Sequence, residues 1–325
     1  MYVRRSPSAF VVQAPAKLNL HFEVLARRPD GFHEVETFIT AISLFDTLAF
    51  FHSSPQTEQA ALQRTVDFAG DWAPGVRGYF HSRAGDSTGD LQTALGDLPE
   101  PRENIVVKAI ELLSKQAGTE KSAVVRLLKR IPSSAGLGGG SSDAAAALVA
   151  ANLAWNLGWS QERLAALAAD LGSDVPFYFT GGAAICRGRG DRLESLPNGQ
   201  YFHFVVVRPP QGLSTREVYR NCEPAQIPVP IGPLLEAWRS GCPYRLGSTL
   251  MNRLQEPAAM MCSWVDRLRN EMERLEVPGH QMTGSGSSYF AICRNARHAQ
   301  NTASRLRAQR LGQVFHATSV HIPLN

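Results

Sequence analysis

The segment 131–148 reads Ile-Pro-Ser-Ser-Ala-Gly-Leu-Gly-Gly-Gly-Ser-Ser-Asp-Ala-Ala-Ala-Ala-Leu, a glycine loop running straight into an alanine-rich stretch. Glycine loses the most backbone entropy on folding, so the loop makes a poor core segment. Alanine is the strongest helix former, and Ser141, Ser142 and Asp143 are good N-cap types. A glycine loop that opens a helix gathers free backbone N–H groups at the positive end of the helix dipole, an anion site whose usual guest is phosphate. No lysine follows the glycines, which excludes a P-loop, and Ser141 breaks the G-x-G-x-x-G spacing. A flexible linker is the other use of such a composition, but linkers seldom cap a helix so well.

Other residues could act on a group held there. Gly172-Ser173-Asp174-Val175-Pro176 forms a turn into Phe177-Tyr178-Phe179, and Asp174 in it is rigidly aimed. Such an aspartate can take a proton from an acceptor hydroxyl, or can simply close an Asx turn; the residues alone leave both open. Lys17 and Asn19 stand two apart in a segment where Leu18, Leu20, Phe22 and Val24 alternate with polar residues. That period of two predicts a strand with Lys17 and Asn19 together on the face opposite the core. Lysine is depleted in strands, so it is either an outward residue of an antiparallel sheet or a fixed cation. A second glycine-rich segment, Met282-Thr283-Gly284-Ser285-Gly286-Ser287-Ser288, is either a close approach to a ligand or a tight turn.

The elements that must position these residues are legible in outline. A strand over Val11–Leu25 is followed by the turn Arg28-Pro29-Asp30-Gly31, where proline presets φ and glycine closes, and β structure returns over Phe32–Phe51. Residues 52–98 break any sustained periodicity and read as an insertion between strands, with short strands possible at Val66–Phe68 and Tyr79-Phe80. Asn104 caps a helix over Ile105–Ala117 that Gly118 ends, and Ala123–Leu128 is a strand leading to the glycine loop. After the loop helix, Ser160 caps a helix over Arg163–Asp170, and Ala183–Cys186 follows Gly181-Gly182. Beyond a junction near Leu196–Gln200 come a strand over Phe202–Val207, a helical stretch over Leu254–Leu275 and a strand over Tyr289–Cys293.

At 325 residues the chain can bury a large core and is expected to form two domains, 1–195 and 196–325. Its 44% hydrophobic and 19% charged content is that of a soluble globular protein. The net charge of +4 suits an anionic small molecule, while no Lys/Arg block is dense enough for nucleic acid. No apolar run approaches the ~20 residues of a membrane span, and no signal-peptide core opens the chain. Five widely spaced cysteines without a C-x-x-C fit reduced thiols in a cytoplasm. Nine histidines offer no tight ligand spacing, so a protein-held transition metal is not expected.

Three segments in this order resemble the GHMP kinase superfamily of small-molecule kinases: Pro15-Ala16-Lys17-Leu18-Asn19-Leu20, the loop from Pro132 to Ala145, and Met282–Ser288. Within it, Arg28-Pro29-Asp30-Gly31-Phe32-His33, the triple-glycine loop and Leu171-Gly172-Ser173-Asp174-Val175-Pro176-Phe177 resemble the 4-diphosphocytidyl-2-C-methyl-D-erythritol kinase family of the non-mevalonate isoprenoid pathway. The similarity runs from about residue 10 to the last strand; the long 52–98 segment departs from it. The resemblance implies an α+β two-domain fold: an N-terminal α/β domain like the second domain of ribosomal protein S5 and a C-terminal ferredoxin-like domain. ATP and a cytidine-diphosphate substrate would meet between them, and Mg²⁺ would be held mainly through phosphates.

The resemblance also implies roles. Asp174 would be the catalytic base and Lys17 the cation beside it. The segment Pro132, Ser133, Ser134, Ala135, Gly136, Leu137, Gly138, Gly139, Gly140, Ser141 and Ser142 would cradle the triphosphate, with Asn104 and Lys129 near the adenosine. Asn19, Phe32, His33, Thr215, Tyr219, Gly284, Ser285 and Gly286 would bind substrate, Phe32 and Tyr219 against the cytosine ring and His33 at its polar edge. The family usually carries tyrosine where Phe32 stands. Two further readings are kept: a GHMP kinase for another small alcohol, against which the Pro-Asp-Gly-Phe-His turn speaks, and a catalytically dead ATP-binding sensor, against which the presence of Asp174 and Lys17 speaks.

Overall fold

The computed structural model describes residues 1–51, 68–73, 76–82, 103–119, 121, 123–196 and 201–322. Its first half is β1 (Tyr2–Arg5), β2 (Ala9–Arg27), β3 (His33–Phe51), β4 (Phe68–Ala73), β5 (Val76–Ser82), α1 (Ile105–Ala117), β6 (Ala123–Lys129), α2 (Gly139–Ala154), α3 (Gln161–Ala168), a 3₁₀ turn (Pro176–Phe179), β7 (Ala183–Gly188) and β8 (Arg192–Ser195). The second half is β9 (His203–Arg208), α4 (Thr215–Arg220), α5 (Gly232–Ser240), α6 (Pro243–Gly247), β10 (Met251–Asn252), α7 (Gln255–Met261), α8 (Ser263–Glu273), β11 (Gly279–Met282), β12 (Tyr289–Cys293), α9 (Ala296–Ala308) and β13 (Gln313–Thr318). Of the 52–98 segment, β4 and β5 are seen; the start of the strand expected from Val66 lies outside the described residues.

One sheet runs β1-β2-β3-β6-β5-β4, with β7 also on β3, β8 on β7 and β10 on β2. β3 is long enough to serve two partners: Val35–Thr40 pair with β7, and Thr47–Phe51 with β6. The glycine loop leaves the end of β6 at this fork. The other sheet, β11-β12-β9-β13, is antiparallel throughout and has the strand order of a ferredoxin-like layer.

Three apolar clusters hold these layers. The first packs α1, α2 and α3 on the large sheet; Ala144, Ala145, Ala146, Ala147, Ala150 and Ala151 are fully buried there, and their small side chains let α2 lie close to the strands. The second packs α7, α8 and α9 on the small sheet. The third lies between the sheets, where Leu18, Leu20, Phe38 and Ile42 meet Phe204, Val206, Phe290 and Ile292.

Several expectations need correction. β2 is buried on both faces, with Lys17 5% and Asn19 1% exposed, because the face opposite the apolar set is covered by the glycine loop and the second glycine segment. α2 begins at Gly139 with Gly138, in the left-handed region at φ 70°, as its cap. Ser141, Ser142 and Asp143 therefore lie in the helix rather than capping it. α3 starts at Gln161, directly after its Ser160 cap. The stretch Leu254–Leu275 is two helices, broken where Cys262 turns extended at φ −144°, ψ 104° and buries its side chain.

Candidate active site

A cleft of about 1550 Å³ opens between the two glycine-rich segments. Lys17 and Asn19 form its floor. A bulge between Asn19 and His21 in the β2–β3 ladder leaves Leu20 unpaired, a common device for re-aiming side chains beside a site. Lys17 Nζ donates to Asn19 Oδ1 at 2.5 Å and lies 3.7 Å from Asp174 Oδ2. The lysine side chain is 7% exposed and the aspartate 39%, so the carboxylate is open to the cleft and its cation is anchored. Asn19 is fixed in turn: its Nδ2 donates to Thr37 Oγ1 at 2.9 Å, and its backbone N–H to Thr283 Oγ1 at 3.0 Å.

The glycine loop approaches so closely that side chains are excluded. A Cβ on Gly138 would sit 2.5 Å from the Tyr178 hydroxyl and 2.8 Å from Lys17 Cγ. A Cβ on Gly136 would sit 2.4 Å from the Thr283 carbonyl oxygen. The two glycine segments, some 150 residues apart, are thus in direct contact. The Lys17 N–H donates to the Leu137 carbonyl at 2.9 Å, stitching the loop to the floor. Burial, and then the Asp174 charge, push the Tyr178 hydroxyl well above the ordinary tyrosine range, so it stays protonated and donates to the Gly138 carbonyl at 2.9 Å. The first-turn N–H groups of α2 have no intrahelical acceptor, and the segment Gly138–Ser141 lines the cleft.

Lys129 and Asn104 stand at the far end. Asn104 caps α1, its Oδ1 accepting the Val106 N–H at 2.9 Å, and also lines the cleft. Lys129 is buried between Asp46 and Asp143, donating to Asp143 Oδ2 at 2.6 Å and to Asp46 Oδ2. Burial opposes its charge, but the two carboxylates win and raise its pKa. Burial first, then the neighbouring Asp46, pushes the Asp143 carboxyl well above the usual range, against the pull of Lys129. The ammonium is therefore committed to a buried cluster, and what Lys129 offers the cleft is mostly its stem.

At the opposite end Phe32 is 54% exposed, with the Arg189 guanidinium 5.0 Å from its ring centroid. The His33 and Tyr219 rings lie 5.2 Å apart, and Phe22 meets Tyr219 edge-on at 6.3 Å. Tyr219 is thus packed on His33 and Phe22, and one side of Phe32 faces an arginine. His33 Nε2 is buried without a partner in the protein. Burial, and then Arg27, hold its pKa below the usual 6.5, so the ring is neutral at pH 7. Thr215 Oγ1 and Ser285 Oγ are 2.8 Å apart, joining α4 to the second glycine segment.

Of the residues expected in the site, Ser142 and Gly286 are the two that do not line the cleft. Ser142 is fully buried, and Gly286 packs on Met282 and Leu213. Residues the sequence reading missed include Arg27, Arg189, Arg216 and Arg220, which with Lys17 make the lining predominantly cationic. Asp46 was also missed, although a carboxylate between Phe45 and Thr47 in an apolar strand is a signal, since Asp is depleted there. Among the described residues no group of three or more His, Cys, Asp or Glu side chains is placed to hold a metal ion, and no helix is long and apolar enough to cross a membrane. The Ser141 hydroxyl on the cleft wall is a hard oxygen of the kind magnesium accepts.

Residues 104–182 match the model of the GHMP kinases N terminal domain, and residues 234–310 that of the GHMP kinases C terminal domain. A 4-diphosphocytidyl-2-C-methyl-D-erythritol kinase of Pelotomaculum thermopropionicum is 38% identical over 296 residues, covering 90% of this chain and 92% of the relative. The kinase of the same name from Bacillus subtilis is 32% identical over 296 residues, covering 91% and 92%. A crystal structure of 4-(cytidine 5'-diphospho)-2C-methyl-D-erythritol kinase superposes with a TM-score of 0.73 at 32% identity, over 95% of this chain and 98% of that one. A homoserine kinase from Cytophaga hutchinsonii, 18% identical, shares the fold at a TM-score of 0.68 over 100% and 98% of the two chains.

Proposed function

This chain belongs to the GHMP kinases, in the family of the 4-diphosphocytidyl-2-C-methyl-D-erythritol kinases, and from that membership we propose that it transfers the γ-phosphoryl group of ATP to the 2-hydroxyl of 4-diphosphocytidyl-2-C-methyl-D-erythritol. The products are the 2-phosphate and ADP, in isoprenoid precursor synthesis by the non-mevalonate pathway. The observation that carries the reading is the Lys17–Asp174 pair, 3.7 Å apart on the floor of a cationic cleft beneath a glycine loop that opens a helix.

Asp174 takes the proton of the acceptor hydroxyl as it attacks. Lys17, anchored by Asn19, fixes a positive charge 3.7 Å from that carboxylate and offsets charge on the transferring group. The N-terminus of α2 holds the triphosphate through backbone N–H groups. Magnesium, carried mainly by phosphate oxygens with Ser141 as the loop's own oxygen ligand, would neutralise triphosphate charge. The units 1–195 and 196–325 meet at the cleft in this reading, with Asn104 beside the adenosine, Asn19 and Thr215 on the substrate, and Phe32, His33 and Tyr219 around the cytosine. A coupled ADP-release assay against a panel of alcohols tests it. Turnover of the cytidine-bearing alcohol well above homoserine and mevalonate supports the proposal, and equal turnover of acceptors without the cytidine group rejects it.

A further inference from the structure

The second glycine segment is held from behind by a residue that does not line the cleft. Asn252 sits in the two-residue β10, paired in parallel with His21 and Phe22 just beyond the Asn19 bulge. Its Nδ2 donates to the Met282 carbonyl at 2.8 Å and to the Gly284 carbonyl at 2.9 Å. Its Oδ1 accepts the Leu254 N–H at 3.0 Å. Two carbonyls on one side and one N–H on the other fix the amide orientation. The Arg253 N–H bonds the Phe22 carbonyl at 2.8 Å, and Gln255 Oε1 accepts the Met282 N–H at 2.8 Å. Asn252, Arg253 and Gln255 thus tie this strip to β2 and to the loop.

The peptide between Gly284 and Ser285 is trans, so its N–H points away from its carbonyl. With that carbonyl on Asn252, the Ser285 N–H faces the other way, and both Gly284 and Ser285 line the cleft. Gly284 lies over the reacting end, since a Cβ there would be 3.3 Å from Lys17 Nζ and 3.2 Å from Asn19 Oδ1. Among the described residues the Ser285 N–H donates to no other group of the protein.

We propose that Asn252 is a positioning residue for phosphoryl transfer: by holding the Gly284 carbonyl it turns the Ser285 N–H into the cleft as a fixed donor to the transferring group. This rests on the kinase reading above. Asn252→Asp keeps the shape and the bond from the Leu254 N–H, but sets a carboxylate oxygen against two carbonyls, so the peptide swings. The kcat on the cytidine-bearing alcohol should fall about tenfold or more, as for misplacing one preorganised donor. KM for ATP should stay within about twofold, since the nucleotide is held by the other loop. Acid should rescue it, because the introduced carboxyl regains a donor when protonated: the N252D to wild-type ratio of kcat should rise as pH is lowered. A loss that is constant with pH, or a kcat within about twofold of wild type, overturns the proposal. If N252D does not fold, Asn252→Ala must show the same split of kcat against KM, and a raised KM for ATP with unchanged kcat overturns it. Failure of the wild-type enzyme to use the cytidine substrate would be the separate failure of the function, since the ratio can be read on whichever alcohol is turned over.

Discussion

Asp174 and Lys17 meet with unequal exposure, the aspartate side chain at 39% and the lysine at 7%, so substrate can displace solvent from the base without moving the cation. Asp174→Asn keeps the turn and removes the base. It should lower kcat by ~10²-fold or more while ATP affinity, followed by calorimetry, holds. Near-normal kcat would take the residue out of the proton path. His33 sets a second test. Its pKa lies below 6.5, through burial and then Arg27, so the neutral ring is the species at pH 7. If that neutral ring reads the cytosine edge, a proton competes with substrate, and binding is lost as pH falls through the lowered pKa. KM for the cytidine substrate should be level from about pH 8 to about 6.5 and climb below that, while KM for ATP does not follow. A substrate KM that improves in acid would assign His33 a charged role instead.

At the start of α2 three consecutive glycines have three different jobs. Gly138 is left-handed and pressed on Tyr178 and Lys17, and Gly139 backs onto Ile131, where a Cβ would fall 2.9 Å from Cγ2. Gly140 is exposed, and a Cβ there would meet Ile105 Cγ2 at an ordinary contact distance of 3.7 Å. A Gly139→Val change would therefore strike the core rather than the phosphates. Gly140→Ala should leave the thermal midpoint within a degree or two and weaken ATP, whereas Gly138→Ala should lower the midpoint by several degrees, through both strain and overpacking. Equal midpoints for the two would deny the packing role. Much of this element was legible: the alanine run, the glycine loop and the Asn104 cap of α1 can be read from local propensity. The start of α2 was not, because a backbone conformation at Gly138 caps it where side chains looked ready to. The break at Cys262 has no proline or glycine to announce it; burial of the cysteine decides it. The Lys129 cluster was hidden because its partner Asp46 is 83 residues away in sequence, and only the fork in β3 brings them together.

At the scale of the whole molecule, an ion pair with a buried carboxylate joins the two halves of the chain. Glu23 on β2 is fully buried, accepting from Arg253 Nε and Nη2 at 2.8 Å each and from the Val229 N–H at 2.9 Å. Burial works to raise its pKa, but Arg253 and the backbone donors hold the carboxyl below 4.5. Its stabilisation is therefore present above the ordinary carboxylate range and lost as pH falls through the lowered value. Arg253→Met strands the carboxylate and should cost about 3–5 kcal/mol at pH 7, with a smaller penalty near pH 4, where the orphan takes a proton. A penalty independent of pH would mean that packing, not charge, is lost. Such pairs are invisible in sequence, because Glu23 reads as one more polar residue in an alternating strand. The shared layer between the two sheets has a consequence for how the protein comes apart. Leu18 and Leu20 from one sheet and Phe204 and Phe290 from the other fill a single interior, and β10 crosses from the second half of the chain to pair with β2. Neither half can melt without wetting that interior. Amides of Leu18, Phe204 and Phe290 should therefore exchange with solvent deuterium at one common free energy, the global one, and respond to denaturant with one common slope. Faster exchange confined to β9 and β12 would mean that the second sheet lets go first.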